Sequence, residues 1–512
     1  MTVFDFRWFW VVLGAVAAWM GWGRSALAAG MTRAIERHPA KWHAGLAFGF
    51  LGIASLAKYL QFSANLLHAF DFWLFVDCLE QAARGAPWLT RFAPQGEGWV
   101  QHGGVHAFIP LFAFVPLVYL IGAKATALLI NPVALALGGW FVGRMTVAEW
   151  GARGSVAWML GFFALSSNGK TLMYETHPEA LYPALVLGAL YFVKQSQGRS
   201  VWTALAALAL VASFSLKLDS IGLLLPVLYL IWRNHAVRDW TKTAGICAMF
   251  GLILQGTALA AWSKGWLGPE KWIGGDVLLP GVGGAGGWAG VGAFFVNLPG
   301  QLLVTTKFLF SRPLLSLVLP VGWVLFSGVW WVGALGLGLI YSFVPGALPL
   351  WNYYSAPWVA LAFAVAIWNG QRWSENRKNR ALLWLVLTST LLGSGAPRWN
   401  FLTQESRSNS ELRRREVESV LECLKLRAPH PKNPERGFVG GVAPGLLADV
   451  WEVNPNLIFG QFDGRVTRHF MEMDFFLIEE GVTPTAEVSV HFSLATVAEC
   501  GVGKQVTLWL RR

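Results

Sequence analysis

Residues 174–193 read Tyr-Glu-Thr-His-Pro-Glu-Ala-Leu-Tyr-Pro-Ala-Leu-Val-Leu-Gly-Ala-Leu-Tyr-Phe-Val. Two acids and a histidine crowd the start, and from Ala180 to Val193 no side chain carries a charge. A segment of that length and composition is at home in hydrocarbon, where a helix satisfies its own backbone polar groups. The same alternation of polar cluster and apolar run recurs outward in both directions, in Trp8 to Met20, Trp42 to Ala57, Ile109 to Ile121 and Ala381 to Leu392. Across the chain 55% of residues are hydrophobic and only 13% are charged. An ordinary soluble domain has about 25% charged residues, and this excess of apolar surface has no place to hide in one.

The fold class expected is therefore an all-α polytopic membrane protein with about 11–13 transmembrane helices. Helices are predicted near 8–29, 43–61, 107–121, 125–144, 155–167, 177–193, 201–214, 218–233, 243–262, 313–329, 331–345, 354–369 and 381–395. Residues 155–167 and 201–214 are short for a crossing and read as broken or tilted pieces. This transmembrane domain occupies 1–395, with outer loops at 62–105 and 264–300. A C-terminal segment, 396–512, begins with a charged run from Arg413 to Leu426 and then alternates turn residues with short apolar runs. It reads as a small α/β domain on the outer side.

Orientation follows from Lys and Arg, which gather in short cytoplasmic loops. Arg372, Arg377, Lys378 and Arg380 form the clearest basic loop, and Arg233, Arg238, Lys242, Lys194 and Arg199 agree with it. The net charge of +11 is thus accounted for by loops and tail. No nucleic-acid partner is expected. The small-residue end Ala26-Leu27-Ala28 mimics a cleavage site, but cleavage would leave the basic stretch 31–41 outside, so an uncleaved helix in a cytoplasmic (inner) membrane is expected. The four cysteines show no metal spacing; Cys423 and Cys500 fall on the outer side, where a disulfide can form.

Polar groups at the outer ends of apolar segments are the candidate site residues, because a charge at the bilayer edge is costly and needs a reason. Asp71 lies in the aromatic string Ala69-Phe70-Asp71-Phe72-Trp73-Leu74-Phe75-Val76-Asp77, either as a functional carboxylate or as an interfacial acid facing water. His177 and Glu179 suit a metal-binding or acid/base pair, although Pro178 and Glu179 are also what a helix start favours. Lys217 and Asp219, two apart at a hairpin tip, read as a salt bridge or as an ammonium offered to a phosphate. His102, His106, Arg312, Asn352 and Tyr354 complete a set on one side of the membrane.

The succession of Asp71, His106 with Pro110 and Pro116, His177-Pro178-Glu179-Ala180-Leu181, Lys217-Leu218-Asp219, Arg312-Pro313-Leu314 and Tyr353-Tyr354-Ser355-Ala356 resembles the polytopic membrane family known as domain of unknown function 2079. The resemblance spans roughly residues 45 to 480. Asn352 stands where a His is expected before the Tyr-Ser-Ala element. That family is in turn similar in layout to fold-type C glycosyltransferases, which use lipid-linked sugars.

What the resemblance implies is transfer of a sugar from a polyprenyl-phosphate-linked donor to an acceptor at the outer face. Asp71 would be the base or a metal-organising carboxylate, and His177 and Glu179 would bind Mg²⁺ or Mn²⁺ or hold the acceptor. Lys217 or Arg312 would neutralise the phosphate, with Asp77, His102, His106, Asp219, Asn352 and Tyr354 against substrate. Membrane lipid and a lipid-linked sugar are the implied partners. A transporter or flippase gated by the same buried groups is one alternative, and a non-catalytic anchoring protein is another.

The orientation predicts that, after mild reduction, a membrane-impermeant maleimide labels Cys423 and Cys500 on intact cells. Labelling only after permeabilisation would reverse it.

Overall fold

A computed structural model describes residues 26–63, 70–86, 89–90, 100–101, 108–173, 175–197, 199–263, 288–342, 352–371, 373–393, 415–420, 422 and the strands of the tail. The predicted first helix near 8–29 lies mostly outside these residues, as do loop 264–287, His102 and His106.

Among the described residues the chain is mostly helical. It opens with α1 (Ala26–Arg37), α2 (Pro39–Ser63) and α3 (Phe70–Ala83). A 3₁₀ turn, Ile109–Phe114, leads into the long α4 (Val115–Phe163), followed by α5 (Ser166–Met173). Then come α6 (Tyr182–Gln195), α7 (Ser200–Phe214), α8 (Ile221–Arg233) and α9 (Trp240–Ser263). The last group is α10 (Trp288–Leu309), α11 (Arg312–Val318), α12 (Gly328–Ser342), α13 (Ala356–Gly370) and α14 (Glu375–Gly393).

The helices predicted at 107–121, 125–144 and 155–167 correspond to three pieces of α4 and its 3₁₀ entry, divided at Gly122 (φ 81, ψ 160) and Gly151 (φ 70, ψ 170), whose backbone leaves the helical region for a conformation open essentially to glycine alone. Among the described residues two stretches, Pro39–Phe62 and Ile109–Phe163, are long and apolar enough to cross a bilayer. The bent pair Val296–Leu309 and Leu314–Phe326 makes a third if taken as one span. The helices α7, α8, α12 and α13 are apolar but each only 13–15 residues long.

Polarity is arranged inside out relative to a soluble protein. Large apolar side chains such as Phe48, Leu120, Ile246 and Val296 face outward, whereas Lys58, Asp77, Asn131, Glu179 and Asp219 are buried. That inversion suits a lipid surround. At the centre lies α13, an apolar helix buried along nearly its whole length against α12 and α6, with Trp358 fully enclosed. A helix hydrophobic all round belongs in such a place. The kinked α4 packs on α2, α3, α6 and α14.

Three helices share a direction that matters for function. Short 3₁₀ turns, Pro178–Leu181, Leu218–Ser220 and Asn352–Ser355, lead into α6, α8 and α13 respectively. Glu179, Asp219 and Tyr354 lie in those turns. At the far ends stand Lys194 on α6, Arg233 on α8 and Asn369 on α13. At 1.5 Å per residue these ends are about 20 Å apart. Two acids, Glu179 and Asp219, therefore mark one end of these helices, and Lys194 and Arg233 mark the other.

In the tail the described residues include five strands: β3 (Val439–Val442), β4 (Ile458–Gln461), β5 (Phe475–Glu479), β6 (Phe492–Leu494) and β7 (Val506–Arg511). They pair in the order β4-β3-β5-β7-β6, parallel through β4-β3-β5 and antiparallel beyond. A further pair, β1 (Leu89–Thr90) and β2 (Val100–Gln101), lies within the predicted first outer loop. The described helical residues there are few, so the α/β domain expected from sequence is not established. Cys423 and Cys500 lie outside the described residues.

Gly122→Ala and Gly151→Ala should each lower stability by about 1–3 kcal/mol through backbone strain, since an added Cβ meets no neighbour at either position. Gly256→Ala, in open space on the helical α9, should be neutral or slightly stabilising. Thermal unfolding in detergent would separate the two outcomes.

Candidate functional site

The three 3₁₀ entries bring their side chains together. Glu179 is fully buried and is held from two sides. Lys217 Nζ donates to Glu179 Oε1 at 2.5 Å, and His177 Nδ1 contacts Oε2. Pro178 between His177 and Glu179 presets the turn, which lets side chains two apart meet. The imidazole is enclosed edge-on by Phe75 of α3, with ring centroids 5.4 Å apart, and by Phe108 at 6.0 Å.

Beside this pair lies a second buried acid. Asp219 accepts hydrogen bonds from the Tyr182 hydroxyl and, at 2.8 Å, from that of Tyr341. Tyr182 opens α6 and Tyr341 closes α12, so Asp219 ties together the ends of two helices and its own turn. Burial pushes the Asp219 pKa up, with Lys217 partly opposing that rise. For Lys217, burial alone would lower the pKa, but Glu179 and Asp219 outweigh it and hold the amine above its ordinary range. The contact with Glu179 is what favours the ammonium form of Lys217 in so buried a place. Its Nζ also lies 5.4 Å from the ring centroid of Tyr354, within cation–π reach.

The cluster is graded in exposure. Glu179, Asp219, Tyr182 and Tyr341 are buried, whereas Tyr354 is half-buried and 12% of the Lys217 side chain is open. An incoming ligand therefore meets the ammonium and the tyrosine ring before either acid. The N-terminal ends of α6, α8 and α13 all begin here, and their positive dipole ends add to the same sign.

A polar seam connects this cluster to α3. Asn131 of α4 donates to the carbonyls of Thr171 at 2.9 Å and Glu175 at 2.7 Å, and its Oδ1 accepts from the His177 amide at 3.3 Å. Thr176 donates to the Ala127 carbonyl at 2.7 Å. The Glu175 carboxylate accepts from the Phe72 amide at 3.0 Å. Phe72 follows Asp71 in the first turn of α3. The backbone of Asp71 is therefore set beside the 175–179 segment, while its side chain lies outside the described structure.

The sequence-predicted residues divide accordingly. His177, Glu179, Lys217, Asp219 and Tyr354 come together. Asp77 is fully buried on α3. Arg312 begins α11 and Asn352 begins the third 3₁₀ turn, but their side chains, like His102 and His106, are outside the described set. Sequence reading missed Tyr182, Tyr341, Asn131 and Lys58. Asn131-Pro132 inside an apolar run and Lys58 inside α2 were signals of the same kind as those used elsewhere, since each places a polar group within a span. Tyr341 had no signal in its own neighbourhood.

A divalent cation at His177 and Glu179 does not fit these side chains as they stand. Both oxygens of Glu179 are engaged, one by an ammonium and one by the imidazole, and among the described residues no three His, Cys, Asp or Glu groups converge. The positive charge at Glu179 is supplied by Lys217.

Together these features define a helical membrane protein with a buried ionic centre at one end of its bundle. The chain belongs to the family described as "Predicted membrane protein (DUF2079)", whose match runs over residues 63–413. No curated protein matches it. Among solved structures it is similar to ArnT from Cupriavidus metallidurans bound to undecaprenyl phosphate, at 13% identity and a TM-score of 0.48, covering 91% of this chain and 98% of that one. It is also similar to the oligosaccharyltransferase AglB from Archaeoglobus fulgidus in complex with an inhibitory peptide and a dolichol-phosphate, at 12% identity and a TM-score of 0.42, covering 86% and 69%. These likenesses are distant, and the chemistry below rests on the chain's own residues.

Lys217→Met should cost about 3–5 kcal/mol by leaving Glu179 buried and unpaired, and adding Glu179→Gln should recover a large part of that loss. Unfolding midpoints of the two single variants and the double variant test the coupling. Additive losses would mean that the two groups do not interact.

Proposed function

We propose that the chain is a membrane glycosyltransferase that moves a sugar from a polyprenyl-phosphate-linked donor to an acceptor at the outer face of the cytoplasmic membrane. The observation that carries this reading is the Lys217 ammonium, anchored from behind by Glu179 and presented at the partly open edge of an otherwise buried cluster. An ammonium at that position, backed by three helix N-termini, suits a phosphate that gains charge as it leaves. In this reading the site end of the bundle is the outer side, the transmembrane domain covers 1–395 with outer loops 62–105 and 264–300, and residues 396–512 form an extracytoplasmic α/β domain.

The proposed step balances as follows. Asp71, placed at the start of α3 beside the 175–179 segment, takes the proton of an acceptor hydroxyl. The acceptor oxygen forms a bond to the anomeric carbon, and the bond from that carbon to the phosphate oxygen breaks. The electron pair leaves with the polyprenyl phosphate, whose added negative charge Lys217 neutralises, with Arg312 as a second cation. His177 orients Glu179, and Glu179 orients Lys217. Asp219, held by two tyrosines, fixes the turn that carries Lys217. Asn352 and Tyr354 lie on the third 3₁₀ entry, where the sugar would pass; Asp77, His102 and His106 are proposed to line the acceptor side.

In proteoliposomes containing a polyprenyl-phosphate sugar, Asp71→Asn should remain folded and lose about 10²–10⁴-fold in donor consumption. A normal rate would rule Asp71 out as the base. If the donor crosses the bilayer intact without being consumed, the flippase alternative takes the place of the transferase.

A further inference from the structure

A second site lies at the opposite end of the bundle. A cavity of about 750 Å³ opens between α8, the start of α12, the end of α13 and the segment leading to α14. Its mouth is basic. Arg233 closes α8 and donates to the Asn369 side chain at 3.2 Å, and the Arg377 guanidinium lies 4.3 Å from the ring centroid of Trp373. No Asp or Glu is among the described residues that line it.

The walls are apolar and follow a helical stripe. Leu225, Tyr229 and Arg233 recur every fourth residue on one face of α8, so the groove runs about 12 Å away from the guanidinium along that helix. Phe326 and Val332 form the facing wall, and Phe326 is 93% exposed with nothing of the protein over it. A small soluble anion would use the arginines and leave this wall bare. An acyl chain alone would use the wall and leave two cations unpaired. A molecule carrying a negative head on apolar chains matches both.

The geometry points to this cavity as a binding site for an anionic glycerophospholipid, its phosphate between Arg233 and Arg377 and an acyl chain along Leu225, Tyr229, Phe326 and Val332. Arginine is suited to the role because its planar fork pairs with phosphate oxygens bidentately. Gly328 begins α12 at the same place, and the free amides of its first turn contribute to the same attraction. The site is separate from the Glu179–Lys217 centre, about one helix length away, and it stands whether or not the chain transfers sugar.

The full-length protein, purified in mild detergent, would be titrated with phosphatidylglycerol, phosphatidylcholine and inorganic phosphate, with bound lipid read by native mass spectrometry and stability by thermal unfolding. Phosphatidylglycerol should be retained as a discrete adduct and raise the unfolding temperature, while phosphatidylcholine should do neither. R233Q/R377Q, both at exposed positions, should keep the unfolding temperature measured in detergent alone and weaken phosphatidylglycerol about tenfold or more. Val332→Trp, which fills the wall and keeps both arginines, should also weaken it. Equal retention of the two lipids, or unchanged phosphatidylglycerol binding in both variants, would overturn the proposal. So would stabilisation by inorganic phosphate equal to that by the lipid, since it would show an anion site with no use for the groove.

Discussion

An ammonium and a carboxylate 2.5 Å apart inside an apolar helical bundle set the terms for everything around them. Neither charge is tolerable alone in such a place, and together they still leave lone pairs and protons to be satisfied. The surrounding structure meets that need piece by piece. His177 takes the second oxygen of Glu179, Tyr354 covers the ammonium, and Asp219 adds a second acid that is itself held by Tyr182 and Tyr341. The residues involved come from positions 177 to 354, so the pair also determines which helix ends must meet. Buried polar networks of this kind specify an arrangement more than they stabilise it. Here the arrangement specified is the shared starting plane of α6, α8 and α13.

That plane gives the molecule its polarity. Each of the three helices starts in a 3₁₀ turn, and the acidic turns complement the positive ends of the dipoles. At the other end of the same helices lie Lys194, Arg233, Arg377 and Lys378, with Lys194 paired to Glu149 of α4. Two electrostatic environments are thus separated by the length of one helix, with lipid-facing apolar side chains between them. Function in such a protein divides naturally between its two ends, one an enclosed ionic centre and the other an amphipathic groove.

Much of this was legible in the sequence because the bilayer restricts what a chain can do. Long uncharged runs imply helices, and a charged residue beside such a run invites suspicion, which is how His177, Glu179, Lys217 and Asp219 could be singled out before their contacts were known. Their convergence was not legible, since it depends on three helices starting in one plane. Tyr341 illustrates the limit: it lies in the unremarkable string Leu339-Ile340-Tyr341-Ser342, and only the antiparallel packing of α12 on α8 brings its hydroxyl to Asp219. The breaks within 107–167 were legible only as gaps between apolar pieces. The structure places them at Gly122 and Gly151, where the backbone leaves the helical region and resumes it on the other side.

The central claim is that the Lys217–Glu179 pair exists to receive a lipid-linked phosphate. It is tested most directly by an experimental structure of the protein in lipid nanodiscs with a polyprenyl phosphate added. The account predicts phosphate density within hydrogen-bond distance of Lys217 Nζ, with Glu179 still in contact with the same ammonium. A phosphate bound elsewhere, with the Lys217–Glu179 pair closed to it, would contradict the account.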